Sequence, residues 1–530
     1  MSRLQQHLTA IGAVDGHAGL TGIRRGLEKE SLRVTGRGTL ALTPHSPVLG
    51  SPLTHPEITT DFSEALLEFI TAPDSDVATV LGQLENVHRF TYHALRDEYL
   101  WVNSMPCVLS KDDNIPVARY GDSNVAKMKT VYRLGLGHRY GRLMQTIAGI
   151  HYNFSLPDEF WTFLREAEKS TLDIQSFKTQ RYFDLIRNFR RYFWLLLYFF
   201  GAAPAICPTF VQGREHSLVP LDKAGATLHA PHATSLRMGD LGYQSKAQQS
   251  LHIDYNNLPD YLRALCSAIT RPHPDYEAIG VKDAQGHYQQ LNTGILQIEN
   301  EFYSTIRPKR TARSGEAALR ALHDRGVEYV EVRCLDLDPY QPLGIGAEQI
   351  HFLDTFLVYC LLADSPPADA DEHGRVQENQ QRIVYRGRDP RLELLNQHTS
   401  YSFSEWATEL LSGLRDVAGL LDAANGAGTH TDSVNQQADK LREPGLTPSA
   451  RILSELRENR QSFYEFGLQQ AMQHAQYFRG TQLDEKLLAH YRQLASRSLE
   501  EQRAVEHQEQ LGFAEYLAGF YAQYGCCSSP

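Results

Sequence analysis

The chain has 530 residues, 42% of them hydrophobic and 22% charged, an ordinary globular composition that excludes disorder as the default. Its 52 Lys and Arg against 63 Asp and Glu leave a formal net charge of −11, the opposite of a nucleic-acid binder's basic excess. At ~150 residues per domain the length allows three or four domains, although large enzymes often merge them.

Met1-Ser-Arg-Leu-Gln-Gln-His-Leu8 has no basic stretch followed by an apolar core, so no secretory signal is expected. The first clean period-two segment is Gly26 to Val34, which sets Glu28 and Glu30 on one strand face and Lys29 on the other. Next, Thr60 to Ile70 reads as a helix: Asp61 and Glu64 suit its first turn, and Phe62, Ala65, Leu66 and Phe69 form an apolar stripe. On that helix Asp61, Glu64 and Glu68 would share one edge. Ile147 to Leu156 alternates again, with His151, Asn153 and Ser155 opposite Ile150, Tyr152 and Phe154. The apolar run Phe193 to Ile206 is broken by Gly201 and Pro204 and falls short of the roughly 20 residues of a membrane span, so it reads as a buried helix end. Two more strands are expected: Gln297 to Tyr303, with Glu299, Glu301 and Tyr303 on one face, and Glu328 to Cys334, with Tyr329, Glu331 and Arg333 on one face.

Beyond residue ~360 the pattern changes. Ser365 to Gln381 and Asp422 to Pro444 are polar and read as surface loops. Ala450 to Phe478 and Asp484 to Tyr524 carry helical periodicity. The expected organisation is a mixed α/β catalytic part over residues 1–360 and a mostly helical part over 361–530 packed on it. Seven cysteines (Cys107, Cys207, Cys266, Cys334, Cys360, Cys526, Cys527) form no Cys-x-x-Cys pair, which fits reduced cytoplasmic thiols.

Glu28 and Glu30 would stand about 6.6 Å apart, where like charges repel unless water screens them or a cation lies between. Screening on an exposed face is the simpler account of this strand alone. Three further strands with polar faces shift the balance toward a cavity for anions. Oxygen ligands plus the imidazole of His151 suit Mg²⁺ or Mn²⁺, and Arg237, Arg333 and the run Arg307, Lys309, Arg310, Arg313 offer the opposite charge. Neither a P-loop nor a strand-bound GxGxxG is present. These residues point to a metal-dependent enzyme acting on anions, with phosphoryl transfer as one such chemistry.

Gly26-Leu-Glu-Lys-Glu, Thr59-Thr-Asp-Phe-Ser-Glu-Ala-Leu-Leu-Glu-Phe, Leu143-Met-Gln-Thr-Ile-Ala-Gly-Ile-His-Tyr-Asn-Phe-Ser, Ala233-Thr-Ser-Leu-Arg and Asp240-Leu-Gly-Tyr occur in that order. Gln297-Ile-Glu-Asn-Glu-Phe-Tyr, Ile306-Arg-Pro-Lys-Arg, Tyr329-Val-Glu-Val-Arg and Leu446-Thr-Pro-Ser-Ala-Arg-Ile-Leu follow. Together these motifs resemble the proteobacterial-type glutamate–cysteine ligases. The resemblance implies an α+β fold of the glutamine-synthetase-like kind, a curved antiparallel sheet forming a funnel with helices outside. It implies ATP-dependent joining of the γ-carboxylate of L-glutamate to the amine of L-cysteine through γ-glutamyl phosphate, the first step of glutathione biosynthesis. ATP would be a co-substrate, with two or three Mg²⁺ (or Mn²⁺) held by Glu28, Glu30, Asp61, Glu68, His151 and Glu331. It further implies Arg333 at the transferring phosphate and Arg237 as a substrate-carboxylate clamp. Tyr132, Gln145, Asn153, Tyr243, Asn300 and Tyr303 would contact the amino acids, and Arg307, Lys309 and Arg310 the nucleotide. A cytoplasmic monomer, with no nucleic-acid or membrane partner, is the expected setting. Two rivals remain: a ligase using another amine, because one pocket contact discriminates only ~10–200-fold, and a metabolite sensor, which should have lost metal ligands.

Overall fold

A computed structural model describes residues 2–106, 108–109, 111–242, 248, 251–397, 399–481 and 483–528. Its main sheet has seven strands: β1 (Arg24–Thr35), β2 (Ile58–Thr60), β3 (Leu66–Ile70), β4 (Glu98–Leu100), β5 (Ile150–Ser155), β9 (Ile306–Lys309) and β10 (Tyr329–Leu335). Between β5 and β9 the short strands β6 (Ala205–Ile206), β7 (Val219–Pro220) and β8 (Leu228–His229) form a separate sheet, and β11 (Glu393–Asn396) pairs with β12 (Thr399–Ser402). The main order is β2-β3-β1-β5-β10-β9, with β4 on the far end of β1, and every ladder is antiparallel.

Alternation along these strands separates two faces. Leu27, Phe69, Tyr152, Phe154, Val330 and Val332 are buried in the apolar core. The helices Val77–Ala94, Ile174–Tyr192 and Ala347–Leu362 cover that face. Asp173 opens the second of these by accepting from the amides of Gln175 and Ser176. The same core continues through Leu414, Ile452, Phe466 and Tyr524, so the later helices share it.

Beneath β1 and β5 lies a buried polar knot. Arg25 donates from Nε to Asp354 Oδ2 at 2.8 Å, and Tyr152 donates its hydroxyl to Oδ1 at 2.5 Å. Lys29 also points to this face, as expected, and donates from Nζ to His88 Nε2 at 2.7 Å. His88 gives its Nδ1 proton to Leu84 O, which leaves Nε2 free to accept. Burial draws the Lys29 ammonium down to about 7.

Several expectations are corrected. Thr60 to Ile70 is a hairpin, not a helix: β2 ends at Thr60, a turn follows, and β3 pairs with β1. Of its stripe, Phe62 and Ala65 are buried in the turn and Leu66 and Phe69 on β3, where pairing overrides local preference. In the turn, Glu64 accepts from the amides of His45 and Arg119, both at 2.6 Å. Gln297 to Tyr303 is no strand but a loop with one 3-10 turn, Glu299–Glu301. Glu301 faces the interior and pairs with Arg139 at 2.9 Å. Both supposed loops contain helices, Glu372–Arg386 and Thr429–Arg442. Cys207, Cys334 and Cys360 are free and buried, but Cys266 is disulfide-bonded. The expected thiols Cys107, Cys526 and Cys527 have no described side chain. The Phe193 run becomes the buried helix Trp194–Phe200, and among the described residues no helix is long and apolar enough to cross a membrane.

Burial also sets an acid limit. His45 is held against Gly50 O beside Arg33, and burial lowers it from 6.5 to about 4. A depressed imidazole leaves the folded chain with fewer bound protons than the unfolded one between those values, so stability falls as pH drops from 6.5 to 4. His45→Gln, which can keep a donor toward Gly50, is expected to remove about 3 kcal/mol of that acid loss. Urea midpoints at pH 7 and pH 4.5 check this: the variant's midpoint should fall less than the parent's.

Candidate active site

The face of the sheet opposite the knot carries carboxylates. Register sets Glu28 opposite His151 on β5 and Glu30 opposite Glu68 on β3. Glu331 on β10 lies across Asn153. His151 Nδ1 stands 3.0 Å from Glu28 Oε2 and 3.9 Å from Glu331 Oε1, while its Nε2 is 3.7 Å from Glu30 Oε1. Asn153 donates to Glu28 Oε1 at 2.9 Å, and the amide of Gly149 donates to Glu30 Oε2 at 2.8 Å. Gly149 must lack a side chain, because a Cβ there would meet Arg237 Nη2 at 2.0 Å.

Charge is unevenly balanced across this face. Glu331 is buried, which opposes ionisation, yet Lys309, Arg333 and His151 hold it well below the usual carboxylate range. Lys309 Nζ reaches its Oε1 and Arg333 Nη1 its Oε2, both at 3.3 Å. Glu28 is also lowered: burial opposes this, and the His151 hydrogen bond overcomes it. Glu68 is the reverse case, raised well above its range by burial and then by Glu28, Asp61 and Glu30. Burial likewise raises Glu30.

Two sets of donors lie within 4.8 Å of one another, Glu28–His151–Glu331 and Glu30–Glu68–His151. His151 Nε2 and Asn153 Oδ1 are buried without a hydrogen-bond partner. Buried polar atoms are ordinarily satisfied, and crowded carboxylates around an imidazole with one unpartnered nitrogen fit divalent cations.

One cavity of about 470 Å³ collects most of the expected residues: Glu28, Glu30, Asp61, Glu68, His151 and Glu331, with Tyr132, Gln145, Asn300, Tyr303, Arg307, Lys309 and Arg333. Asp61 sits in the turn after β2, with Arg133 Nη2 3.8 Å from its Oδ1. Gln145 donates to the Tyr303 hydroxyl at 3.1 Å. Asn300 and Tyr303 arrive from the loop rather than from a strand. A smaller pocket lined by Arg190, Met238 and Gln380 adjoins at Tyr303 and Arg333.

Two of the expected residues stand apart. Arg237 is buried behind the wall, donating to Arg333 O at 3.0 Å, with Asp336 at 3.7 Å. Arg310 faces away, toward Gln175 and Glu328. Tyr243 lies outside the described residues. Sequence reasoning missed Lys129 and Arg133, which flank Tyr132 on the helix Asn124–Tyr140 and line the cavity. Their i, i+4 spacing was the available signal. Tyr516 and Phe520, from the helix Phe513–Ala522, also line it, and nothing local marks them.

Glu68→Gln separates the charge account from a merely structural one. In EDTA the variant loses a repelling carboxylate, so its Tm is expected to rise by a few degrees. With millimolar Mn²⁺ the order should reverse, because the parent gains more from the ion. Thermal scans in both buffers check this, and a lower Tm for the variant in EDTA contradicts it.

A family model described as glutamate-cysteine ligase matches residues 8–383. Glutamate–cysteine ligase of Saccharophagus degradans is 52% identical over 510 residues, covering 96% of each chain. That of Alcanivorax borkumensis is 51% identical over 525 residues, covering 98% of this chain and 100% of the relative. A crystal structure of glutamate–cysteine ligase from Francisella tularensis in complex with AMP superposes with TM-score 0.89 at 36% identity, over 96% of this chain and 99% of that one. A bifunctional glutathione synthetase from Pasteurella multocida shares the fold, with TM-score 0.70 at 24% identity over 90% of this chain and 55% of that one.

Proposed function

The chain belongs to the glutamate–cysteine ligase family, and we propose that the carboxylate-lined cavity is where it joins the γ-carboxylate of L-glutamate to the amine of L-cysteine at the expense of ATP. The observation that carries the site assignment is the convergence of Glu28, Glu30, Asp61, Glu68, His151 and Glu331 on one cavity beside Arg333.

Glu28, His151 and Glu331 would hold one divalent cation, and Glu30 and Glu68, with Asp61 lining the same cavity, another. Bound there, Mg²⁺ or Mn²⁺ would neutralise the triphosphate and the γ-carboxylate and orient them for in-line attack. The protein's own groups act around that chemistry. The guanidinium of Arg333, tethered by Glu331, meets charge that develops on the transferring phosphoryl group. Lys309 and Arg307 stand beside it on the nucleotide side. A γ-carboxylate oxygen attacks the γ-phosphorus and ADP leaves; the cysteine amine then attacks the acyl carbon, loses a proton and expels phosphate.

Tyr303, aligned by Gln145, and Tyr132 wall the amino-acid end, with Asn300 nearby. Asn153 aligns Glu28 and so acts through it. Arg237 is a positioning residue: it supports the backbone of Arg333 and the Gly149 turn that holds Glu30. An active monomer in the cytoplasm belongs to the same proposal.

Glu28→Gln and Glu331→Gln should each lower kcat at least ~10²-fold with an unchanged circular dichroism spectrum. ADP release with Mg·ATP and L-glutamate, with and without L-cysteine, reads the outcome. Near-normal turnover in both variants would overturn the ligand assignment. Release driven only by another amine would keep the mechanism and replace the acceptor.

A further inference from the structure

A second cluster of metal-type donors lies away from the cavity, on the helical side of the sheet. His351 and Asp354 are three apart on the helix Ala347–Leu362 and therefore share a face. His430 approaches them from the first turn of Thr429–Arg442. One donor atom from each lies within 4.8 Å of the others. The imidazole rings of His351 and His430 are 4.8 Å apart at 67°, so they are not stacked face to face.

The tautomer of His430 is settled by its neighbour. Its Nδ1 lies 2.9 Å from Asp422 Oδ1, and an ionised carboxylate only accepts, so Nδ1 carries the proton. Asp422 is itself fixed by the amides of His430 and Thr431, both at 2.9 Å. In the neutral imidazole Nε2 of His430 is thus the lone pair, and it is buried without a partner in a residue only 2% exposed. Nδ1 of His351 is likewise buried and unpartnered. A carboxylate that orients an imidazole from its far nitrogen is the usual outer shell of a histidine metal ligand.

We propose that His351, Asp354 and His430 bind one transition-metal dication of the zinc class, stapling the helix behind the catalytic sheet to the C-terminal helices. Two imidazoles and one carboxylate favour such an ion over Mg²⁺, which prefers oxygen. Tetrahedral binding would draw the donors to about 3.4 Å apart. Arg25, Asp354, Asp422 and His430 are among the groups that act on His351, and the two carboxylates favour a cation there. Asp354 already accepts from Arg25 and Tyr152, but each carboxylate oxygen has a second lone pair.

The test loads the full-length protein with Zn²⁺ in excess Mg²⁺, dialyses it and counts zinc per chain by mass spectrometry. His351→Gln and His430→Gln are treated alongside. The expected result is one fewer zinc in each variant, a Zn²⁺-dependent rise in Tm in the parent alone, and unchanged cysteine-dependent ADP release. Zinc at the catalytic carboxylates is common to all three and cancels. His351 is only half-buried, so its variant keeps the comparison valid if His430→Gln misfolds. Equal zinc counts in the parent and the folded variants overturn the proposal.

Discussion

Glu28, Glu30, Glu68 and Glu331 point to one face of an antiparallel sheet around a single imidazole, a concentration of negative charge that the protein alone does not neutralise. Lys309 and Arg333 compensate Glu331. On the opposite side of His151, burial and then the neighbouring carboxylates Glu28, Asp61 and Glu30 outweigh Arg133, and Glu68 stays protonated into a higher pH range. The imbalance is directional. The site is cationic where a phosphoryl group would arrive and carboxylate-rich where metal ions would sit. Such a face is costly without cations and well suited to reactants that are all anions.

The rest of the fold keeps these side chains in place. On the far side of the same strands, Asp354 bonds Arg25 of β1 and Tyr152 of β5, tying the two strands that carry Glu28 and His151. Gly149 admits Arg237 where any side chain would exclude it, and Arg237 in turn holds the backbone of Arg333. Rigid elements thus position the proposed ligands, while the proposed amino-acid wall comes from a helix and a loop. That division matches the separate demands of metal geometry and substrate exchange.

Much of this was legible in the chain. Alternation in β1, β5 and β10 placed Glu28, Glu30, His151, Glu331 and Arg333 on polar faces, because a two-residue period survives any tertiary arrangement. Thr60 to Ile70 was misread because apolar residues at 62, 65, 66 and 69 satisfy a helix template, while β1, the strand that draws β3 into the main sheet, lies outside the segment. The loop at Glu299–Glu301 was misread for the opposite reason: period two appeared by chance, and Glu301 turns inward to Arg139 instead. The wall from Tyr516 and Phe520 had no local signature, since its meaning depends on where a C-terminal helix docks.

The most direct test of the central claim is anomalous diffraction from a crystal grown with Mn²⁺ and ADP. Peaks are expected between Glu28, His151 and Glu331 and between Glu30, Glu68 and Asp61, within bonding distance of their oxygens. Manganese absent from this face, with ADP bound, would contradict the account.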